Sequence, residues 1–156
     1  MDQASIIQYV ADTFAGVDVL RATDGVGAGD TFFIYDRARN LDGRHRLPFA
    51  TIVTKDYGDF DNASNLNRPG VNRLNIGVSP ATYRSLFGPP PKQGAAGTGY
   101  DFTALDRLLP HPVYAPQSWV CVLNPGDDTF TNLKPFLAEA YQLAVNRLTR
   151  QQRRRQ

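Results

Sequence analysis

The sequence predicts an α+β domain built on a single, mostly antiparallel sheet of about five strands. Short β-prone runs follow one another across short connections in the first half of the chain, and such connections favour antiparallel pairing. The strongest helical periodicity lies near the C-terminal end, where one long helix is expected. An N-terminal helix and short middle helices complete the prediction, and 156 residues suffice for one domain with its own core.

The helices are predicted from apolar spacing and from capping residues. The first helix has apolar residues at helical spacing over residues 6–14. A Ser-Pro start and a Gly stop mark a short helix at 79–88, and another short helix is expected at 101–108. The long C-terminal helix is expected to begin near Asn132, because Pro135 is tolerated only in a first helical turn.

Five strands are predicted where β-branched and aromatic residues alternate with polar ones or form short apolar runs, at residues 17–23, 31–35, 49–54, 73–78 and 119–123. The fourth of these strands has two different faces. Leu74 and Ile76 fall on a face that is expected to be buried, whereas Arg73 and Asn75 fall on a polar outer face. A polar loop of about sixteen residues precedes this strand, and loops of that length are often functional.

A Gly-x-Gly-x-Gly run at residues 25–29 invites comparison with nucleotide-binding loops. The dinucleotide fingerprint requires Gly-x-Gly-x-x-Gly between a strand and a helix, whereas this run leads into the β-prone residues 31–35. A hairpin tip is therefore expected here. Residues 36–47 and 89–99 are also expected to be loops, the second one rich in proline and glycine.

The positive charge of the chain is concentrated at its C-terminal end. Residues 147–156 contain five arginines and no acidic residue, so the total charge of +2 leaves −3 for residues 1–146. A nucleic-acid-binding domain is expected to carry positive charge on its folded surface, so binding of nucleic acid is the least favoured function. The predicted organisation is one domain at 1–150 and a basic, disordered tail at 151–156.

The content of cysteine, histidine and serine motifs limits the available chemistry. Cys121 is the only cysteine, and its place in an apolar run predicts a buried, unreactive thiol. The two histidines lie 66 positions apart, and Asp56, Asp59 and Asp61 lack the pattern of a calcium loop. No Gly-x-Ser-x-Gly motif is present, which disfavours a serine hydrolase. No metal site and no cofactor is predicted.

The hydropathy of the chain predicts a protein without membrane-spanning segments. No stretch approaches the ~18 consecutive apolar residues of a membrane span. The N-terminal residues lack the basic and apolar regions of a signal peptide. A soluble, cytoplasmic protein is therefore expected.

Polar and aromatic side chains collect at strand ends and in the loops between strands. If the strands at 49–54, 73–78 and 119–123 are neighbours in the sheet, these side chains line one cleft. The predicted ligand-binding residues are Lys55, Tyr57, Arg73, Asn75 and Trp119. The predicted catalytic residues are His111, as general acid or base, and Tyr114.

An organic small molecule is the expected ligand of this cleft, with specialised metabolism as one setting for its role. The alternative is a cofactor-independent enzyme, namely a hydrolase, isomerase or cyclase that uses His111. Binding of nucleic acid through the arginine-rich tail comes third. The oligomeric state is not predicted.

Several segments resemble those of a bacterial family that is common in actinobacteria and carries only a domain-of-unknown-function label, at residues 48–56, 67–71, 73–79 and 108–125. The order of elements is also distantly similar to the MmcQ/YjbR-like fold, whose members have been suggested to bind DNA or small molecules. Residues 116–119, Pro-Gln-Ser-Trp, replace the Lys-x-His-Trp motif of that fold. The resemblance implies family membership, not an activity.

Overall fold

A computed structural model describes residues 1–43, 45–95 and 98–155. Within these residues the chain forms three α-helices, six strands and a short 3-10 helix at Ala115–Gln117. In chain order the main elements are α1 Gln3–Thr13, β1 Val17–Arg21, β2 Thr31–Tyr35, β3 Ala50–Val53, β4 Arg73–Gly77, α2 Pro80–Phe87, β5 Leu109–Pro110, β6 Trp119–Leu123 and α3 Asp127–Arg154. Arg44, Ala96 and Gly97 of the two predicted loops, and Gln156 of the predicted tail, lie outside the described residues.

The six strands form one sheet in the order β1-β2-β3-β4-β6-β5, and every neighbouring pair is antiparallel. This sheet confirms the predicted α+β class. The glycine run lies in the connection between the paired strands β1 and β2, as expected for a hairpin tip. The additional strand, β5, has only two residues, and a segment that short shows no alternation from which a strand can be predicted.

The short helix predicted at residues 101–108 is wrong. The described structure has turns there, and Leu105 forms an isolated bridge with Leu123 at the end of β6. The Asp106 N–H donates to the Leu123 carbonyl at 2.6 Å, and Asp106 itself has a φ of 58°. Pairing with β6 therefore outweighs the local helical tendency of this segment.

Helices α1 and α3 cover one face of the sheet, and the main hydrophobic core lies beneath them. Strand residues that point to this helix-covered face, such as Phe33, Ile52 and Leu74, are apolar and buried. They share one cluster with the buried helix residues Ile6, Val10, Phe130, Leu133 and Leu137. Each of these helices turns one apolar side toward the sheet, and this burial accounts for the helical spacing of apolar residues in the sequence.

Helix α3 begins at Asp127, and the predicted start near Asn132 is wrong. Pro135 lies inside the helix but on an exposed side, where the carbonyl that loses its helical partner can bond to water. The acidic residues Asp127 and Asp128 in the first turn interact favourably with the helix dipole. The helix crosses the boundary predicted at residue 150 and ends at Arg154, while the disorder of the tail stays a prediction.

Loops cover the opposite face of the sheet, which we call the loop-covered face. The long loop at 54–72 folds across it and closes a small second cluster, made of Val53, Tyr57, Leu66, Val71 and Leu123. Arg73 and Asn75 are buried on this face, with exposures of 0% and 2%. The prediction that this face of β4 is an outer face is therefore wrong. The loop covers Arg73 and Asn75 and supplies partners for polar atoms of Arg73.

Candidate functional site

A cavity of about 660 Å³ opens on the loop-covered face, above the central strands. Part of its lining comes from residues that stand opposite one another in the sheet, with Phe32 opposite Thr51 and Thr51 opposite Asn75. Directly opposed residues of antiparallel strands point to the same face. The register of the sheet therefore collects side chains that are far apart in the sequence.

Six of the seven predicted site residues line this cavity, namely Tyr57, Arg73, Asn75, His111, Tyr114 and Trp119. Lys55 is the exception. Its ammonium group donates to the Ala28 carbonyl in the β1–β2 hairpin and lies 3.6 Å from a carboxylate oxygen of Asp30. The roles predicted for all seven residues stay predictions. Six of the seven side chains nevertheless line the same cavity.

Arg73 is fully buried, and its charge is already neutralised. Asp61 of the long loop binds it in a bidentate ion pair, with Nη1–Oδ1 and Nη2–Oδ2 distances of 3.1 and 2.6 Å. Nη1 also donates to Ser64 Oγ at 2.9 Å, and Nε donates to Asn75 Oδ1 at 2.8 Å. Four of the five N–H groups thus bind oxygen atoms of the protein, so Arg73 anchors the loop to β4.

The same network orients the amide of Asn75. Its Oδ1 accepts the Arg73 N–H, which turns Nδ2 toward Thr51 Oγ1, 3.0 Å away. Thr51 Oγ1 accepts this second bond, and its own hydroxyl hydrogen has no acceptor in the described part of the chain. Thr51 therefore offers a hydrogen-bond donor to an acceptor atom inside the cavity.

The imidazole of His111 is buried and neutral. Its Nδ1 accepts the N–H groups of Val113 and Tyr114, at 3.0 and 2.9 Å, which assigns the ring proton to Nε2. Nε2 lies 3.3 Å from Nη2 of Arg73. Burial, followed by the positive charge of Arg73, holds the pKa of His111 well below its ordinary value of 6.5.

This arrangement leaves two N–H donors facing each other. The Nε2–H of His111 lies beside the second Nη2–H of Arg73, and neither group has an acceptor atom among the described residues. A ligand oxygen that reached this point would satisfy donors that are otherwise poorly matched. At neutral pH the imidazole is therefore a hydrogen-bond donor and not a source of protons.

Trp119 forms a wall of the cavity because residue 77 is a glycine. A Cβ atom at Gly77 would lie 2.9 Å from Cε2 and 3.0 Å from Cζ2 of the indole, closer than side chains normally approach. The missing side chain lets the indole ring lie directly against β4. Because Trp119 is the only tryptophan, its fluorescence reports on this cavity alone.

The cavity also has an apolar rim in contact with solvent. Leu47, Phe60 and Tyr114 line the cavity and have exposures of 55%, 63% and 41%. The Tyr114 ring centroid lies 6.0 Å from that of Phe60 and 6.4 Å from that of Trp119. An exposed group of large apolar side chains is uncommon on a protein surface without a binding role.

Some contributors to the cavity were missed by the sequence analysis. Phe32 and Thr51 could be found only from the order and register of the strands, since nothing local distinguishes them. Asp61 was considered only as a weak cation ligand, although it binds Arg73. Arg147 was counted with the basic C-terminal end, and only the fold brings α3 to the cavity.

Cysteine and metal chemistry find no support elsewhere in the described structure. Cys121 is buried, and burial raises the pKa of its thiol to about 12, as expected for an unreactive cysteine. Within residues 1–43, 45–95 and 98–155, no group of three or more His, Cys, Asp or Glu side chains is arranged to hold a metal ion.

Comparison with protein families gives a match along nearly the whole chain. The sequence model of DUF6194, a family of unknown function, matches residues 1–154. The chain belongs to the DUF6194 family. Comparison with curated proteins and with solved structures found no match. The predicted membership of a domain-of-unknown-function family is therefore confirmed, and the cavity described above is a feature of a DUF6194 protein.

Proposed function

We propose that this DUF6194 protein binds an organic small molecule in the cavity on the loop-covered face. The observation that carries the proposal is the combination of aromatic walls with unmatched hydrogen-bond donors inside a space of about 660 Å³. Apolar enclosure with a few convergent polar groups is the usual design of a site for an organic ligand, and such sites measure ~300–1,000 Å³. The exposed apolar rim of Leu47, Phe60 and Tyr114 also supports a binding role.

A screen against a metabolite library, by thermal shift and native mass spectrometry, tests this proposal. A ligand is expected to raise the melting temperature by mass action and to change the fluorescence of Trp119. Trp119→Phe keeps an aromatic wall but removes the signal, so it identifies compounds whose own fluorescence interferes. If no compound both stabilises the protein and alters the Trp119 signal, the proposal fails.

A cofactor-independent enzyme, namely a hydrolase, isomerase or cyclase, is the second candidate. In its favour, the predicted catalytic residues His111 and Tyr114 both line the cavity, with ring centroids 4.9 Å apart. Against it, a neutral imidazole is not a general acid, and its basic nitrogen Nδ1 already accepts two backbone N–H groups. This alternative therefore has less support than simple binding.

His111→Asn separates catalysis from structure, because the asparagine Oδ1 can accept the same backbone N–H bonds but does not titrate. The experiment measures turnover of compounds that bind in the screen. An enzyme that uses His111 should lose turnover in the folded variant, whereas unchanged turnover would exclude His111 as acid or base.

Nucleic-acid binding through the arginine-rich end comes third. Removal of residues 151–156 is expected to leave the affinity for DNA and its salt dependence unchanged. A lower affinity with a smaller salt slope would instead support this function.

Several finer expectations remain predictions. No helix of the described residues is both long and apolar enough to cross a membrane. The cytoplasmic location, the actinobacterial origin, the likeness to the MmcQ/YjbR-like fold and the role in specialised metabolism each await their own test.

A further inference from the structure

Three of the described residues that line the cavity have charged side chains, namely Asp61, Arg73 and Arg147. Asp61 and Arg73 neutralise each other through their bidentate contact. Arg147 is exposed on α3, and its side chain has no hydrogen bond or ion pair with any other residue that the structure describes. Among the described residues, the lining therefore carries one uncompensated positive charge, that of Arg147.

The same lining offers little to a cation. Asp61 is the only carboxylate among these residues, and both of its oxygens bind Arg73. Among the buried side chains of the lining, the polar groups without a matched partner are donors, such as the hydroxyl of Thr51 and the Nε2–H of His111. The electrostatics of the cavity therefore favour a ligand with acceptor atoms and one negative charge.

The walls determine the shape of the ligand. Tyr57, Tyr114, Trp119, Phe32 and Phe60 all line the cavity, so flat aromatic surfaces form part of its walls. Aromatic side chains of this kind pack well against a planar ring system, in stacked or edge-to-face geometry.

We infer that the ligand is a planar aromatic compound that carries one carboxylate group, and that Arg147 binds this carboxylate. The inference rests on the proposed function. A single unpaired guanidinium matches a monoanion, and its planar fork can bind both oxygens of a carboxylate. The aromatic body then lies between the ring walls, and its acceptor atoms reach the inner donors.

Two probes of nearly equal shape test the charge requirement, namely naphthalene-2-carboxylate and naphthalene-2-carboxamide. Their affinities for the full-length chain are measured by isothermal titration calorimetry at low and at high salt. The carboxylate is expected to bind about tenfold more tightly at low salt, because hydrogen bonds to charged groups are stronger than neutral ones. This preference should shrink at high salt, because Arg147 is exposed and its charge is screened.

Substitutions on α3 assign the preference to one residue. Arg147→Ala is expected to weaken binding of the carboxylate by about tenfold and binding of the carboxamide much less, which removes the preference. Arg150→Ala is the matched control, because Arg150 is exposed on the same helix and does not line the cavity. Arg147→Lys keeps the charge without the fork and should retain part of the preference.

The outcomes distinguish this inference from the proposed function. If the wild type binds both probes equally, or if the preference persists in Arg147→Ala, the inference is overturned and the cavity remains a binding site. If neither probe binds but compounds in the metabolite screen do, the inference also fails and the proposed function stands. If both experiments show no binding, both proposals fail.

Discussion

The two faces of the sheet are built in different ways. The helix-covered face buries almost purely apolar side chains, with Phe33, Ile52 and Leu74 packed against α1 and α3. The loop-covered face buries a guanidinium, a carboxylate, an imidazole and an amide, and it retains a cavity of about 660 Å³. Buried charges and open volume both cost free energy unless they are compensated. We therefore attribute most of the stability to the helix-covered face and the proposed binding to the loop-covered face.

The largest expected effect concerns the buried ion pair of the loop-covered face. Arg73→Met leaves Asp61 nearly buried without its counter-charge, and should lower the free energy of unfolding by about 3–5 kcal/mol in urea denaturation. The double variant Arg73→Met/Asp61→Leu removes both charges and should recover much of this loss. A loss below about 1 kcal/mol in the single variant would show that the pair does not hold the loop.

A core substitution on the helix-covered face should affect stability alone. Leu137 is fully buried, so Leu137→Ala is expected to lower the free energy of unfolding by about 2–5 kcal/mol through loss of packing and creation of a cavity. Ligand affinity, measured by calorimetry below the unfolding transition, should remain that of the wild type. A weaker affinity would mean that the two faces are coupled.

Acid should destabilise the protein through His111. Because its folded pKa lies well below 6.5, the unfolded chain takes up a proton first as the pH falls, and stability falls with it. One such group lowers the free energy of unfolding by about 1.4 kcal/mol between pH 8 and pH 5.5, measured by urea denaturation. His111→Asn should remove this dependence, and His45→Asn controls for the loss of a histidine. The same slope in His111→Asn would disprove the assignment.

The smallest expected change in stability comes from the glycine beneath the indole. Gly77→Ala should displace Trp119 into the cavity at a cost of about 1 kcal/mol, because the ring has free space on that side. The fluorescence of Trp119 should shift and ligand affinity should fall. Gly43→Ala is the control, since a Cβ at that position would have no described atom within 4 Å beyond its chain neighbours. An unchanged spectrum and affinity in Gly77→Ala would mean that Trp119 does not shape the site.

The contrast between the two faces also explains what the sequence could predict. Strand β2 has the predicted bounds of 31–35. Its run of apolar residues is visible in the sequence, because a buried strand is built from residues that the hydrophobic effect removes from water. Alternation in β4 separated Arg73 and Asn75 from Leu74 and Ile76 correctly, but it could not reveal what covers the second face. The cover is an aperiodic loop whose polar side chains form specific contacts.

Individual site residues differ in the same way. The position of Trp119 in the cavity was predictable, because it is the only tryptophan and lies at the start of a predicted strand. The ion pair between Arg73 and Asp61 was not predictable. Asp61 is one of several acidic residues in the loop, and only the folded loop brings it to Arg73. Arg147 reaches the cavity only through the packing of α3, which no local pattern encodes.

Occupation of the loop-covered face by a ligand is tested most directly by the indole N–H signal of Trp119 in nitrogen-15-labelled protein. The signal is followed during titration with a compound that stabilises the protein in the screen. It should shift and saturate with the calorimetric dissociation constant, together with backbone signals of residues 57–61 and 111–117. A compound that binds while the Trp119 signal stays in place, or that shifts only α1 and residues 130–137 of α3, would contradict a site on this face.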